Sequence, residues 1–213
     1  RQALLHGKAC LVEKAFTANA REAEELIRIS HERKVLLVEA IWTRFMPISL
    51  LINQLLEDGA IGKPQLLNTG LCYKVDHKER VILPELCGGA LLDLGVYVLH
   101  FARMYFGTDI TRCVSNCLMG PTGVDLQETI SLTFGDGKMA NLQCGVISRG
   151  DNQAVISGTE GFLRIDNVNN PTRIEVYRGF ELAETHHRSA DVVTGYEFEV
   201  LECKRCLEQG LIE

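Results

Sequence analysis

The stretch Glu85-Leu-Cys-Gly-Gly-Ala-Leu-Leu-Asp-Leu-Gly-Val-Tyr-Val-Leu-His100 decides how the chain is organised. Three small residues, Gly88, Gly89 and Ala90, lead into an apolar run that predicts a helix ending near Phe106. Asp93 and Tyr97 lie four residues apart in it, so on a helix their side chains share a face. An acid and a phenol on a mostly apolar helix are costly to bury without a task or a partner. This segment is therefore the first candidate for chemistry.

On either side of it the chain has a different character. Upstream, residues 2–7 read as the end of a helix closed by Gly7, and Ala9–Glu13 as a short apolar strand. Asn19-Ala-Arg-Glu22 has the form of a capping box and predicts a helix to about Glu32. Val35–Ala40 is a second apolar strand without alternation, as expected when both faces are covered. A helix follows from about Met46 to Asp58 and ends at Gly59. Strand, helix, strand, helix in this order predicts part of a parallel α/β sheet.

After Gly62-Lys-Pro64 the pattern changes. Gln65–Tyr73 reads as a strand, and the 88–106 helix comes next. Strands are then expected near 110–119, 125–134, 138–148, 152–158, 161–166, 173–178 and 181–187. Phe134-Gly-Asp-Gly-Lys138 and Ser157-Gly-Thr-Glu-Gly161 carry turn chemistry between strands. A closing helix spans about 195–209. The expected fold is α/β plus α+β. Residues 1–62 form part of a Rossmann-type dinucleotide-binding sheet. Residues 63–213 form a large, mostly antiparallel, open-faced sheet with a helix on one face. Such a face predicts a homodimer through it.

Composition narrows the function classes. Of 213 residues, 46% are hydrophobic and 23% charged, as in an ordinary soluble globular protein. The net charge of -6 argues against nucleic acid or an anionic membrane as the main partner. No apolar run reads as long enough to span a bilayer. The eight cysteines fall mostly in apolar strand or helix contexts and read as reduced thiols of a cytoplasmic protein. Cys203 and Cys206 form a single C-x-x-C inside the closing helix with no second pair, so packing is expected there and no metal site. His186-His187 reads as exposed.

Lys14 follows the first strand at its carboxyl end, and Trp42 and Arg44 follow the second. Ligands of open α/β sheets sit at those ends. A lysine there can hydrogen-bond a reacting oxygen and lower a neighbour's pKa. Trp42, the only tryptophan, could serve as a flat wall for a ring-bearing ligand or as core packing. Glu13 and Glu39 could contact a cofactor or pair with Arg44. No G-x-G-x-x-G occurs in the sequence.

Val12-Glu-Lys-Ala-Phe16, Glu39-Ala-Ile-Trp-Thr-Arg-Phe45, Gly88-Gly-Ala-Leu-Leu-Asp-Leu-Gly-Val-Tyr97 and Ser157-Gly-Thr-Glu-Gly161 occur in that order. Together they resemble the glucose-fructose oxidoreductase / inositol dehydrogenase family across essentially the whole chain. The Trp-Thr-Arg-Phe run and Tyr97 resemble its dimeric dihydrodiol dehydrogenase branch. The resemblance implies a chain lacking the family's glycine-rich loop, which would precede Arg1, and its usual C-terminal segment. It implies hydride transfer between NADP or NAD and a secondary alcohol of a diol, pentose or related sugar. Tyr97 matches the family's acid/base position, and Lys14 matches a lysine beside nicotinamide and substrate. Asp93 matches a family aspartate that binds substrate or orients Tyr97. Glu13, Lys14, Trp42 and Arg44 become the cofactor-side residues. The departure is Ala15, where the family has proline after the lysine. A second reading, drawn from Ala15 and the missing loop, is a catalytically silent binding or assembly module.

Overall fold

The chain's first two strands, Cys10–Glu13 (β1) and Leu37–Ala40 (β2), pair in parallel from Cys10↔Leu37 to Glu13↔Ala40. They belong to a computed structural model that describes residues 1–212. A short helix, Gln2–Leu5 (α1), precedes β1, and Ala20–Arg33 (α2) connects the strands. The capping box at the start of α2 forms as the sequence predicts. Asn19 Oδ1 accepts from the Glu22 amide at 3.1 Å, and Glu22 Oε2 accepts from the Ala18 amide at 3.3 Å. Leu4, Ile29 and Leu37 form a buried cluster, with Val12, Phe16 and Leu26 packed against it. Burial of such side chains stabilises by roughly 1.5–3 kcal/mol each.

The other elements are Pro47–Glu57 (α3), Pro64–Cys72 (β3), Glu79–Ile82 (α4) and Val96–Phe106 (α5). Ile110–Met119 (β4), Asp125–Phe134 (β5), Met139–Gly145 (β6) and Ala154–Gly158 (β7) follow. Gly161–Ile165 (β8), Arg173–Arg178 (β9), Glu181–His187 (β10) and Glu197–Gln209 (α6) complete the chain. Eight strands form one sheet in the order β10-β9-β8-β7-β3-β6-β5-β4. Only β3 and β6 pair in parallel, and every other neighbour is antiparallel. Alternation selects one buried face. Leu67 and Leu71, Ala140 and Leu142, Ile130 and Leu132, and Ile156 all turn inward. Val98, Phe101 and Ala102 of α5 supply the buried helix residues, and α5 packs on β3 and β6.

The chain divides into two compact units, Arg1–Met46 with Asp191–Glu213, and Pro47–Ala190. The sequence led us to expect a boundary after residue 62 and a closing helix in the second domain. Instead α3 packs on α5 and β9, and α6 packs on the Trp42–Phe45 turn.

Two further differences from the sequence expectations concern the central helix. Its first turn is wide. Leu91–Gly95 is a π segment, and α-helical geometry begins at Val96. The stretch Pro84–Phe106 also holds an 18-residue window with a mean hydropathy of 1.3, so by length and composition one segment does pass as apolar enough to cross a bilayer. Its apolar surface is that of a core helix packed on the large sheet.

Candidate active site

The first unit brings the carboxyl ends of β1 and β2 side by side. Glu13 is exposed and Lys14 half-buried, and the Lys14 amide donates to Glu13 Oε2 at 3.2 Å. The Lys14–Ala15 peptide bond is cis. Beyond β2, Trp42-Thr-Arg-Phe45 forms one tight 3-10 turn. Trp42 is only 6% exposed. Tyr196 stacks on it with ring centroids 4.7 Å apart and planes at 18°. Gly195 lies behind the indole with φ +100°, where a Cβ would come within 2.8 Å of Cε3. Packing therefore occupies much of the Trp42 surface, and Tyr196, half exposed, presents the outer ring. Arg44 is exposed.

Helix α6 adds two carboxylates to this unit. Glu197 closes the loop before it, accepting from the amides of Val193 at 2.8 Å and Gly195 at 2.7 Å and from Thr194 Oγ1 at 2.8 Å. Its own backbone amide and these donors hold its carboxyl at about 2. Glu199, two residues on, is 5% exposed, and its Oε2 has no hydrogen-bond partner. Burial, then the nearby charge of Glu13, pushes its carboxyl up. Neither Tyr196 nor Glu199 stood out in the sequence. Both lie more than 150 residues from the strands they serve, with no motif around them.

The second unit carries Asp93 in the π segment and Tyr97 at the start of α5, each 8% exposed. Arg80 of α4 donates from Nη1 to Asp93 Oδ1 at 2.7 Å. The Gly88-Gly89 pair has a steric reason. A Cβ on Gly88 would approach the Val81 carbonyl oxygen at 2.6 Å. One on Gly89, at φ +122°, would overlap the Asp125 carboxylate. The amides of Gly89 and Gly88 donate to Val81 O at 2.8 Å and Leu83 O at 3.1 Å, and the Leu91 amide donates to Asp125 Oδ2 at 2.6 Å. A ring of hydrogen bonds thus fixes the start of the helix that bears Asp93 and Tyr97. Gly95 lets this segment lie close to the sheet. A Cβ there would meet Cys144 Sγ at 3.1 Å. Burial, then Glu128 and Asp125, pushes the Cys144 thiol up to about 12, so it is an inert core group.

The division of the expected site residues is therefore definite. Glu13, Lys14, Trp42 and Arg44 belong to the first unit, and Asp93 and Tyr97 to the second. Among the described residues no cluster of His, Cys, Asp or Glu could hold a metal ion. Cys203 and Cys206 are free thiols on α6.

A small parallel sheet and a large mixed sheet in one chain are also the make-up of solved oxidoreductases. An aldose-aldose oxidoreductase from Caulobacter crescentus, complexed with glycerol, superposes with a TM-score of 0.88 at 21% identity. The match covers 99% of this chain and 65% of that one. A 3-ketoreductase from Actinomadura kijaniata, in complex with NADP and TDP-benzene, gives 0.88 at 23% identity over 98% of this chain and 66% of that one. Structures of that ketoreductase include variants with a tyrosine replaced by phenylalanine and a lysine replaced by alanine.

The family described as GFO/IDH/MocA C-terminal domain matches residues 50–164, more than half of the sequence, and the chain belongs to the Gfo/Idh/MocA family. Among curated relatives, trans-1,2-dihydrobenzene-1,2-diol dehydrogenase of Danio rerio is 32% identical over 213 residues, 97% of this chain and 64% of that protein. The Homo sapiens protein of the same name is 31% identical over 218 residues, 99% of this chain and 65% of that protein. The chain thus spans just under two thirds of the length of these relatives.

Proposed function

We propose that the whole protein is a nicotinamide-dependent dehydrogenase. It oxidises, reversibly, a secondary alcohol of a trans-dihydrodiol, pentose or related sugar. The observation that carries this reading is the collinear match to dihydrodiol dehydrogenases over 97% of the chain, which takes in both the Lys14 strand end and the Tyr97 helix.

The residues present fit a nicotinamide nucleotide. Lys14 and Arg44 are cations at the carboxyl ends of parallel strands, where dinucleotides bind in such sheets. Glu199 Oε2 is a buried acceptor without a partner beside Glu13, and a ligand amide would satisfy such an atom. The bound NADP or NAD supplies the hydride acceptor, since no protein side chain can hold a hydride. The chain's own work is to orient the carbinol and handle one proton.

Tyr97 takes the carbinol proton in oxidation and returns it in reduction. A phenol titrates near pH 10 in water, so it needs nearby positive charge to act near neutrality. Lys14 is assigned to the reacting oxygen and the nicotinamide side. Asp93 orients the phenol. The structural variants of the Actinomadura enzyme, a lysine and a tyrosine, support attention to these two residue types.

The protein is further proposed to be a cytoplasmic homodimer that pairs through the open face of the eight-stranded sheet. Its free thiols suit a reducing compartment.

The test measures binding of NADP(H) and NAD(H) to the native-length protein by Trp42 fluorescence, then dihydrodiol oxidation by Tyr97→Phe and Lys14→Met. Loss of the proton group should lower kcat by roughly 10²–10⁴-fold and leave cofactor affinity unchanged. Failure of both nucleotides to bind, or an unaltered kcat in Tyr97→Phe, would sink the assignment.

A further inference from the structure

Asp93 and Tyr97 are four residues apart on adjoining turns of one helical run, and both side chains are almost fully buried. An anionic carboxylate beside a phenol that must ionise works against it, because like charge disfavours the phenolate. The fold answers this with a cation. Arg80 Nη1 donates to Asp93 Oδ1 at 2.7 Å. We propose that Arg80 is a positioning residue for Tyr97: its guanidinium fixes the orientation of Asp93 and offsets the carboxylate's charge beside the phenol. This rests on the proton-handling role given to Tyr97 above.

The geometry supports more than a chance surface pair. Arg80 sits on α4, only four residues long, and the backbone of α4 is tied to the helix start through Gly89 N–H to Val81 O and Gly88 N–H to Leu83 O. Gly88 has no room for a side chain against that backbone. Guanidinium and carboxylate are thus mounted on one hydrogen-bonded patch. Asp93 is 8% exposed, whereas the Arg80 side chain is 57% exposed, so the carboxylate is the buried member that needs its partner.

Other titratable groups surround the segment. Asp125 and Glu128 come from β5, Cys144 from β6 and Cys72 from β3. His100 and Tyr105 lie further along α5, and α3 presents the Ser49 carbonyl to Tyr105. These groups stay constant when Arg80 or Asp93 is changed, so differences among variants report the pair.

The experiment titrates the Tyr97 phenol in the absence of any nucleotide or substrate. Ultraviolet tyrosinate absorbance is followed against pH for wild type, Arg80→Gln, Asp93→Asn and the double variant. Each is referred to the same protein carrying Tyr97→Phe, so the difference isolates one phenol. Arg80→Gln removes one positive charge from the patch and should move the midpoint up by about one unit. Asp93→Asn removes one negative charge beside the phenol and should move the midpoint down by a similar amount. The double variant should return close to wild type, and Arg80→Lys, which keeps the charge, should stay near it. A purely structural role for Arg80 cannot give opposite signs that cancel. Midpoints that coincide in all variants, or two single variants shifting in the same direction, would overturn the proposal. Arg80→Gln and Arg80→Lys carry the test by themselves if the buried Asn variant does not fold. The kcat of Tyr97→Phe, measured separately, decides the role of Tyr97 itself, so the two ideas fail independently.

Discussion

Gly89 illustrates how one position can be fixed by its surroundings. Its φ is +122°, and the direction a Cβ would take is filled by the Asp125 carboxylate, which accepts the Leu91 amide. Gly89→Ala should therefore lose the backbone conformation and the cap together. A cost of about 2–3 kcal/mol is expected, read as a lower urea midpoint, whereas Ala at Gly123, which has open space around it, should cost less. The sequence made the Gly-Gly pair visible as a break before an apolar run, and it made Asp93 and Tyr97 visible by their spacing. It could not make Arg80 visible. That residue lies thirteen positions before Asp93, on a four-residue helix with no periodic signal. Trp42 is the opposite case. Its identity left a ligand wall and core packing both open, and the partner that covers it, Tyr196, is 154 residues away in sequence. Long-range aromatic stacking leaves no local pattern to read.

At the scale of elements, most strands and long helices follow from alternation and capping, and α2, β3, β5 and β9 lie within a few residues of their expected ends. The wide π turn at Leu91–Gly95 and the short α4 were not legible, because both depend on tertiary contacts, such as that of Gly95 with Cys144. Helix α6 offers a test of local electrostatics. Glu197 and Glu199 are two residues apart and shifted in opposite directions. Glu197 is depressed from 4.5 to about 2 by amide donors, so its contribution is present above about pH 4.5 and is lost as pH falls towards 2. Glu199 is raised by burial and by Glu13, so it favours the folded state at low pH and opposes it once pH rises past its folded value. Glu197→Gln should lower the melting temperature at pH 7 and converge on wild type near pH 2. Glu199→Gln should raise it at pH 7 and converge near pH 4. Differential scanning calorimetry across that range reads both. A loss of stability at pH 7 in Glu199→Gln would show that the buried carboxylate has a partner that stabilises it.

The largest feature of the molecule is the sheet face that α5 does not cover. Register puts Asn68, Asn141, Ser131 and Val114 in one row across four strands, with Val155, Arg164 and Glu175 continuing it on the other side of β3. The polar members satisfy one another. Asn141 Nδ2 donates to Asn68 Oδ1 at 3.2 Å, Ser131 Oγ donates to Asn141 Oδ1 at 3.3 Å, and Arg164 pairs with Glu175. Between them lie Val114, Leu118, Met139 and Leu182, each more than 40% exposed, and the stacked rings of Phe162 and Tyr177. Internally neutralised charge, uncharged amides and scattered apolar groups make a surface that a second copy can cover without burying a lone charge. A stable pair needs roughly 800 Å² from each partner, which the area of eight adjacent strands can supply. Asn141 is the place to break it. A long cation at the middle of the face clashes with its own symmetry mate, yet projects from an exposed position where it gives up only two solvent-exposed hydrogen bonds. Asn141→Arg should therefore sediment at half the wild-type mass with its melting curve still cooperative. For the 23.7 kDa chain studied alone, a monomeric wild type would remove the dimer proposal, and a variant that remains dimeric would move the interface to another surface.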